Sequence, residues 1–427
     1  MMKGLLKFSV FVLFIACNNL DSVSPASRNS FVHYFGGTGN YQAVSALELK
    51  DGFLLIGDSI SASKYAIITI RTDQNGKTIW RKKIDNAVAA SALSTNDGYL
   101  IIGDSMNVDL TQTTVADQIK RKMRIISMSA TGSITTDKSW YDKTDDQTDF
   151  RGSSLTLDES GKIISTSTVK PRGVPAYVLV AQHDPSSLAI NWFQKYNQDN
   201  RDYHNSKSVY INSSGNIIWA TSAVVSTTVS SQSFVRIPVM APNSTFVNSG
   251  LYGQDTSNVS FSGDDICPNG VGFGIVGTYQ TYTGENSNIF FLRTDNLGNP
   301  ILNSVLYLDG FTVLKTGKPL SDKNESSVQD TGNAIASTSD GGFLIAGSTT
   351  TTTDGSWGNG GTDVFLIRLN AFGQILWFKT FGGTGDEVPS TVRLTADGGF
   401  VISGTLTLAG QSSMFLLKVD ANGELKN

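Results

Sequence analysis

DGGFLIAG at 340–347 and DGGFVISG at 397–404 are nearly the same string written twice in one chain. DGFLLIG (51–57) and DGYLIIG (97–103) repeat it near the start, and SGKIIST (160–166), SGNIIWA (214–220) and GVGFGIVG (270–277) keep its phase more loosely. The seven copies end on small residues at 57, 103, 166, 220, 277, 347 and 404, a mean spacing of about 58 residues, and self-similarity at such a period marks a repeat architecture.

Working outward from the sixth copy, the sequence predicts four strands per unit, at 333–338, 342–348, 364–369 and 374–381. Turn chemistry separates them. Asp-Gly-Gly joins the first pair, and a glycine closes the turn of the second, as in DQNG (73–76), NAFG (370–373) and DANG (420–423). The third strand is rich in β-branched and aromatic residues, as in AIITI (66–70) and NIFFL (288–292), and no ten-residue amphipathic helix interrupts the pattern. Four-stranded units repeated radially are the blades of a propeller, so the expected fold is all-β, a seven-bladed β-propeller with four antiparallel strands per blade. The chain ends at GELKN (423–427), where an outer strand is due, and its ordered part begins with VHYFGGT (32–38), which resembles the string FKTFGGT (378–384) that follows Trp377. The two ends are therefore expected to build the outer strand of the seventh blade together, which closes the ring and removes its exposed edges.

A chain of 427 residues without internal order would suggest two or three domains, but the repeats assign 31–427 to one propeller. With 39% hydrophobic and 16% charged residues and 42 glycines the composition is that of an ordered globular protein. The net charge of −4 and the lack of a Lys/Arg-rich run exclude nucleic acid as an expected partner.

The first 17 residues read as a targeting segment. Lys3 and Lys7 precede an apolar run at 8–16, too short to span a bilayer. The string LFIAC (13–17) resembles the lipobox of bacterial lipoproteins, with Phe14 where Leu is usual, and that resemblance implies lipid attachment at Cys17 and anchoring at the bacterial outer membrane. Residues 18–30 are polar and aperiodic, a tether that could reach about 45 Å. Besides Cys17 only Cys267 remains; a single thiol cannot form an internal disulfide, and its setting suits a small core residue.

The combination of Trp-x-Lys-x-Phe-Gly-Gly-x-Gly-Asp (377–386), DGGF and Asp-x-Phe-Leu-x-x-Leu (363–369) resembles the repeat of exported β-propeller lipoproteins of the Bacteroidetes. NGKTIW (75–80) is also similar to the tryptophan-docking repeat of quinoproteins and of the propeller lipoprotein that assists outer-membrane protein assembly. Trp80, Trp140, Trp192 and Trp377 recur in the outermost strand and are expected to wedge between neighbouring blades.

Antiparallel strands place the tight turns at one end of every blade and the long connections (104–122, 221–232, 278–287, 308–331 and 348–362) at the other. That loop face is the expected binding surface, with aromatics at Tyr279, Tyr282, Phe311 and Trp357. Counting 13 or 14 residues back from each Phe343 equivalent gives Asn40, Asp85, Asp149, Asp202, Asp330 and Asp386. Only the fifth unit, at Val259 and Ser260, lacks an acid or amide there. This ring either caps turns or forms a channel mouth that takes cations or sugar hydroxyls.

Catalytic signatures are poor. His33, His183 and His204 lack the surroundings of a Ser-His-Asp triad, and no GxSxG, HExxH, P-loop or EF-hand string occurs. DGSWGNGGTD (354–363) has oxygen ligands but not the ordered Ca²⁺-loop pattern. The expectation is a membrane-anchored, non-enzymatic binding or scaffold module without cofactor or metal, whose loop face meets a glycan, a small molecule or an outer-membrane protein. The alternative is a glycan hydrolase or lyase using acids at the channel mouth. A quinoprotein activity is disfavoured, because no adjacent-cysteine pair accompanies the docking tryptophans.

Overall fold

In the sixth blade the strand Phe343–Thr349 and its partner Asp363–Leu369 are buried along their whole length, whereas the outermost strand Ile375–Phe381 is half-exposed. A strand covered on both faces reads as a continuous apolar run, and this is why the DGGF strings, and not the edge strands, carry the repeat signal. The computed structural model describes residues 30–61, 64–108, 119–140, 148–198, 201–226, 231–254, 259–281, 287–309, 312–313, 329–350 and 361–425.

Among these residues the chain forms seven antiparallel sheets arranged as a seven-bladed β-propeller. The innermost strands are Asn40–Leu49, Ala87–Thr95, Asp149–Leu157, Asp202–Ile211, Val259–Pro268, Asp330–Ser337 and Asp386–Leu394. Six sheets have four strands; the fifth adds the short strand Thr312–Val313 outside Leu306–Asp309. The strands extend further toward the loop face than the sequence suggests. In blade six the innermost one starts at Asp330 rather than 333.

Closure is as expected in kind and simpler in detail. The outer strand of the seventh blade is Phe31–Phe35 alone, paired with Gln411–Val419, while the residues after Val419 form a turn rather than half of that strand.

Three local devices hold each blade to itself and to the next. In the turns between the third and fourth strands an Asp or Asn accepts backbone N–H bonds two and four residues on. Asp73 takes Asn75 and Lys77 at 2.9 Å each, and Asn370 takes Phe372 and Gln374 at 2.9 Å each. The glycines of these turns also admit the outer-strand tryptophan of the preceding blade. A Cβ on Gly132 (φ +80°) would lie 2.8 Å from Trp80, and one on Gly423 (φ +72°) 2.6 Å from Trp377. Trp80 thereby joins Leu54 and Ile56 of the first blade to Tyr99 and Ile101 of the second, and Trp377 joins Leu344 to Phe400 in the same way. At the closure Phe31 and His33 take this place against Gly76, and the His33 ring bonds the Asn75 carbonyl at 2.8 Å.

The second device fixes the DGG turns. Arg368, 7% exposed, donates two bonds of 2.8 Å to Asp340, and Lys418 reaches Asp397 at 3.0 Å; Arg71 pairs with Asp51. Each of these buried cations also donates to the carbonyl of the residue that follows it, so its charge is met on both sides.

The third device joins the blades. Every innermost strand carries a register shift at one phase, between Ala43/Ser45, Ala89/Ser91, Gly152/Ser154, Asn205/Val209, Gly263/Asp265, Gly332/Ala334 and Pro389/Thr391. A bulge turns an N–H away from its own ladder. At five of the seven joints that N–H is accepted by a side chain on the second strand of the preceding blade: Asp58 takes Ala89 (2.8 Å), Asp104 takes Gly152 (2.7 Å), Ser222 takes Gly263 (3.1 Å), Thr278 takes Gly332 (3.2 Å) and Thr405 takes Ala43 (3.0 Å).

Deleting Phe31–Phe35 should expose the Gln411–Val419 edge and remove the lock on Gly76, lowering the thermal midpoint of the whole ring; a melting curve identical to the parent's would rule out a shared closing strand. Gly132→Ala should cost about 1–3 kcal/mol in denaturant unfolding, since its methyl overlaps Trp80 at a left-handed backbone position.

Candidate functional site: a cleft on the loop face

The corner residues do not form one uniform ring. Asn40, Asp149, Asp202, Asp330 and Asp386 each open an innermost strand. Asp85 does not. It ends the outer strand of the first blade, 68% exposed and paired with Lys83 at 2.7 Å, and Asn86 (φ +55°) makes the corner before Ala87. Three of the others cap the preceding blade rather than their own turn. Asp386 accepts the Thr362 N–H (2.9 Å), Asp202 that of Ala176 (2.6 Å) and Asn40 that of Ser412 (3.1 Å), each at or just before the start of a third strand. Asp330 is fully buried. Tyr279 is not a loop residue. It lies in the strand Gly272–Thr281, fully buried, edge-on to Tyr307 at 5.4 Å, because the strand extends past the predicted loop start. Cys17, Tyr282, Phe311 and Trp357 lie outside the described residues.

Only part of the ring borders a cavity. A cleft of about 690 Å³ opens on the loop face across blades one to four, lined by the starts of their first strands and, in blades one to three, by the ends of the second strands and the starts of the third. Its polar wall is Asp58 and Tyr65 of blade one, Asp104 and Arg121 of blade two, Arg151 and Lys170 of blade three, and Asp202 and His204 of blade four. Ala90 lines both this cleft and the central channel, where Arg393 of blade seven reaches the carbonyls of Ala46 (3.0 Å) and Ala92 (3.5 Å) in blades one and two.

The electrostatics of the wall follow from the joint bonds. Asp58 and Asp104 are 7% and 5% exposed, and each spends one oxygen on a bulge N–H. Burial pushes both carboxyls up to about 7, more than the single N–H bonds, or Arg121 at 3.8 Å from Asp104, can offset; mutual repulsion adds to the shift of Asp58. Asp202 goes the other way. Burial raises it, but the Lys170 ammonium and the Ala176 N–H outweigh that and hold it below the usual range. Partial desolvation lowers the His204 imidazole. Arg151 is held by Asp149 at 2.7 Å with its side chain 52% exposed.

Other candidates are structural. His183 is fully buried, bonded to Ser165 Oγ at 2.8 Å and edge-on to Trp140, and Cys267 sits in the core. Among the described residues no group of three or more His, Cys, Asp or Glu is placed to hold a metal ion. The sequence reading missed Asp58 and Asp104. Their signal was present, as an acid immediately after the repeat's final glycine in GD (57–58) and GD (103–104), where Ser, Thr or another small residue stands in the other copies.

No family model matches the chain, and no curated protein matches it. Among solved structures it is similar to BamB from Moraxella catarrhalis (10% identity over 88% of this chain and 96% of that one, TM-score 0.40). It is also similar to a protein of unknown function from Dyadobacter fermentans (11%, 91% and 98%, TM-score 0.47) and to the sialidase of Trypanosoma rangeli (9%, 83% and 57%, TM-score 0.44). These likenesses concern the fold alone.

Because the folded-state values of Asp58 and Asp104 lie above the unfolded value of 3.8, folding favours their protonated forms. Their contribution is present in full below about pH 4 and is lost as pH rises through about 7, by at most about 1.4 kcal/mol per group per pH unit. The doubly substituted Asp58→Asn, Asp104→Asn protein keeps the acceptors for Ala89 and Gly152. It should gain stability over the parent at pH 8 and show a flatter dependence between pH 5 and 8 in denaturant titrations.

Proposed function

We propose that the protein is a membrane-anchored binding module that presents the cleft of blades one to four to a polar ligand, a glycan or a segment of an outer-membrane protein. The observation that supports this reading is the convergence of side chains from four blades on one cleft whose size falls in the range of small-ligand sites, roughly 300–1,000 Å³. Residues 1–17 serve as the export signal in this reading, Cys17 carries the lipid and 18–30 is the tether.

A second reading, a glycan hydrolase or lyase, is favoured by one observation: Asp58 and Asp104 are held close to neutrality, where a carboxyl can serve as general acid or base.

Two experiments separate these readings. Cys17→Ser should move the protein from the detergent fraction to the aqueous one without changing its melting temperature; unaltered partition would refute the anchor. Glycan arrays and outer-membrane extracts probed with the parent, and with a Lys170→Ala, His204→Ala double variant, should show capture that the variant loses while its melting temperature holds. Capture unaffected by the variant would move the binding surface elsewhere, and cleavage of a captured glycan that Asp104→Asn abolishes would favour the enzyme.

A further inference from the structure

Within the binding-module reading, on which this inference rests, the cleft has two chemically different walls. On one side stand two cationic groups of blade three, Arg151 and Lys170, while Arg121 of blade two stands with the acids, 3.8 Å from Asp104. Each of these two is held in place by a carboxylate, Arg151 by Asp149 at 2.7 Å and Lys170 by Asp202, yet 52% and 47% of their side chains stay exposed. A guanidinium carries five N–H donors, so Arg151, which gives Nε and one Nη to Asp149, keeps donors for another acceptor. Such cations are positioned before a ligand arrives, which reduces the ordering cost of binding.

On the other side stand Asp58 and Asp104. One oxygen of each is committed to a neighbouring blade's N–H; the second oxygen of Asp104 faces the Arg121 guanidinium at 3.8 Å, and that of Asp58 takes no hydrogen bond from the described residues. Ile60, Tyr65 and Met106 between them supply apolar surface. A ligand that suits both walls needs an anionic group at one end, hydroxyls at the other, and a ring with an apolar face between.

We propose that the cleft binds a uronic acid residue of a glycan, its carboxylate on Arg151 and Lys170 and its hydroxyls on Arg121 and on the Asp58 and Asp104 oxygens that no bulge N–H occupies. A carboxylate suits the guanidinium fork, and sugar hydroxyls both donate to and accept from carboxyl oxygens.

The charge balance gives this proposal a pH signature. The charged and titratable groups facing Asp58 and Asp104 are Arg121, Asp149, Arg151, Lys170, Asp202, Tyr65 and His204. With Asp58 and Asp104 protonated, three cations face two ionised carboxylates, a net of one positive charge; with both ionised they face four, a net of one negative charge. His204 stays neutral through most of this range, since its pKa is lowered. Anion binding is therefore coupled to proton uptake and strengthens as pH falls.

The test is calorimetry on the mature chain with methyl glucuronoside and methyl glucoside, which differ at the carboxylate alone. The glucuronoside is expected to bind about ten-fold more tightly than the glucoside at pH 5.5, equivalent to about 1.4 kcal/mol, and to weaken about as much by pH 8. Arg151→Gln and Lys170→Gln should each abolish the preference, and Asp58→Asn with Asp104→Asn should flatten the pH dependence. Equal affinity for the two sugars, inorganic phosphate displacing the glucuronoside at equal concentration, or a pH dependence that survives the double Asn substitution would each overturn the proposal. Should neither sugar bind while the Lys170, His204 double variant still loses capture of another ligand, this inference falls and the binding-module reading stands; if nothing is captured through the cleft, both fall.

Discussion

The structure depends on an N–H group that has nowhere to go inside its own sheet. Each innermost strand carries a bulge at the same height, and at five of the seven joints the bulge directs a backbone donor to a side chain of the preceding blade. A buried donor without an acceptor costs about 1–3 kcal/mol, so the preceding blade must supply one. At five joints it does so, from the position just after the repeat's final small residue at Asp58, Asp104, Thr278 and Thr405, and one residue further on at Ser222. The sixth joint shows the rule by its exception. Proline occupies the bulge at Pro389 and has no N–H to offer, and Ser348, the residue that would have received it, bonds Thr331 Oγ1 within its own blade at 2.6 Å.

The same bond links architecture to chemistry. Serine or threonine would satisfy a bulge N–H with a neutral hydroxyl, as at three of the joints. Where aspartate does it, one oxygen closes the joint and the other is carried into the wall of the cleft as a carboxyl held near neutrality by burial. Blades one and two, the two with aspartate after a Gly at this position, are also the blades that border the cleft with buried acids. The buried acids of the cleft thus arise from a choice of acceptor at a structural position.

Most of the fold was legible in the sequence because propeller blades bury their two middle strands on both faces. That constraint writes unbroken apolar strings between glycines, and seven copies in one phase fix the blade count; the Trp–Gly docking followed from the same strings. The site was less legible. Counting back from an aromatic landmark placed Asp85 at a corner that Asn86 makes, because one residue in left-handed conformation shifts the phase by one. Tyr279 looked like a loop aromatic because the string GTYQTYTG alternates small and polar residues around it, yet the strand continues through Thr281 and the ring enters the core. The cationic clamps of Arg71, Arg368 and Lys418 on the DGG turns were invisible for another reason. They pair residues about 20 to 30 positions apart across a sheet, a relation that becomes readable only once strand register is known.

The direction of the closing strand fixes the end at which the chain enters the ring. Phe31 lies opposite Lys418 and Phe35 opposite Met414, so this strand enters from the end of the ring where the 420–423 turn lies and runs toward the loop face. The chain therefore joins the cylinder at the base opposite the cleft. If Cys17 carries the lipid as proposed, the tether meets the ring at its tight-turn end, and the end that bears the cleft is the one away from the attachment point. A polymeric ligand can then approach the cleft without meeting the chain that leads to the attachment point.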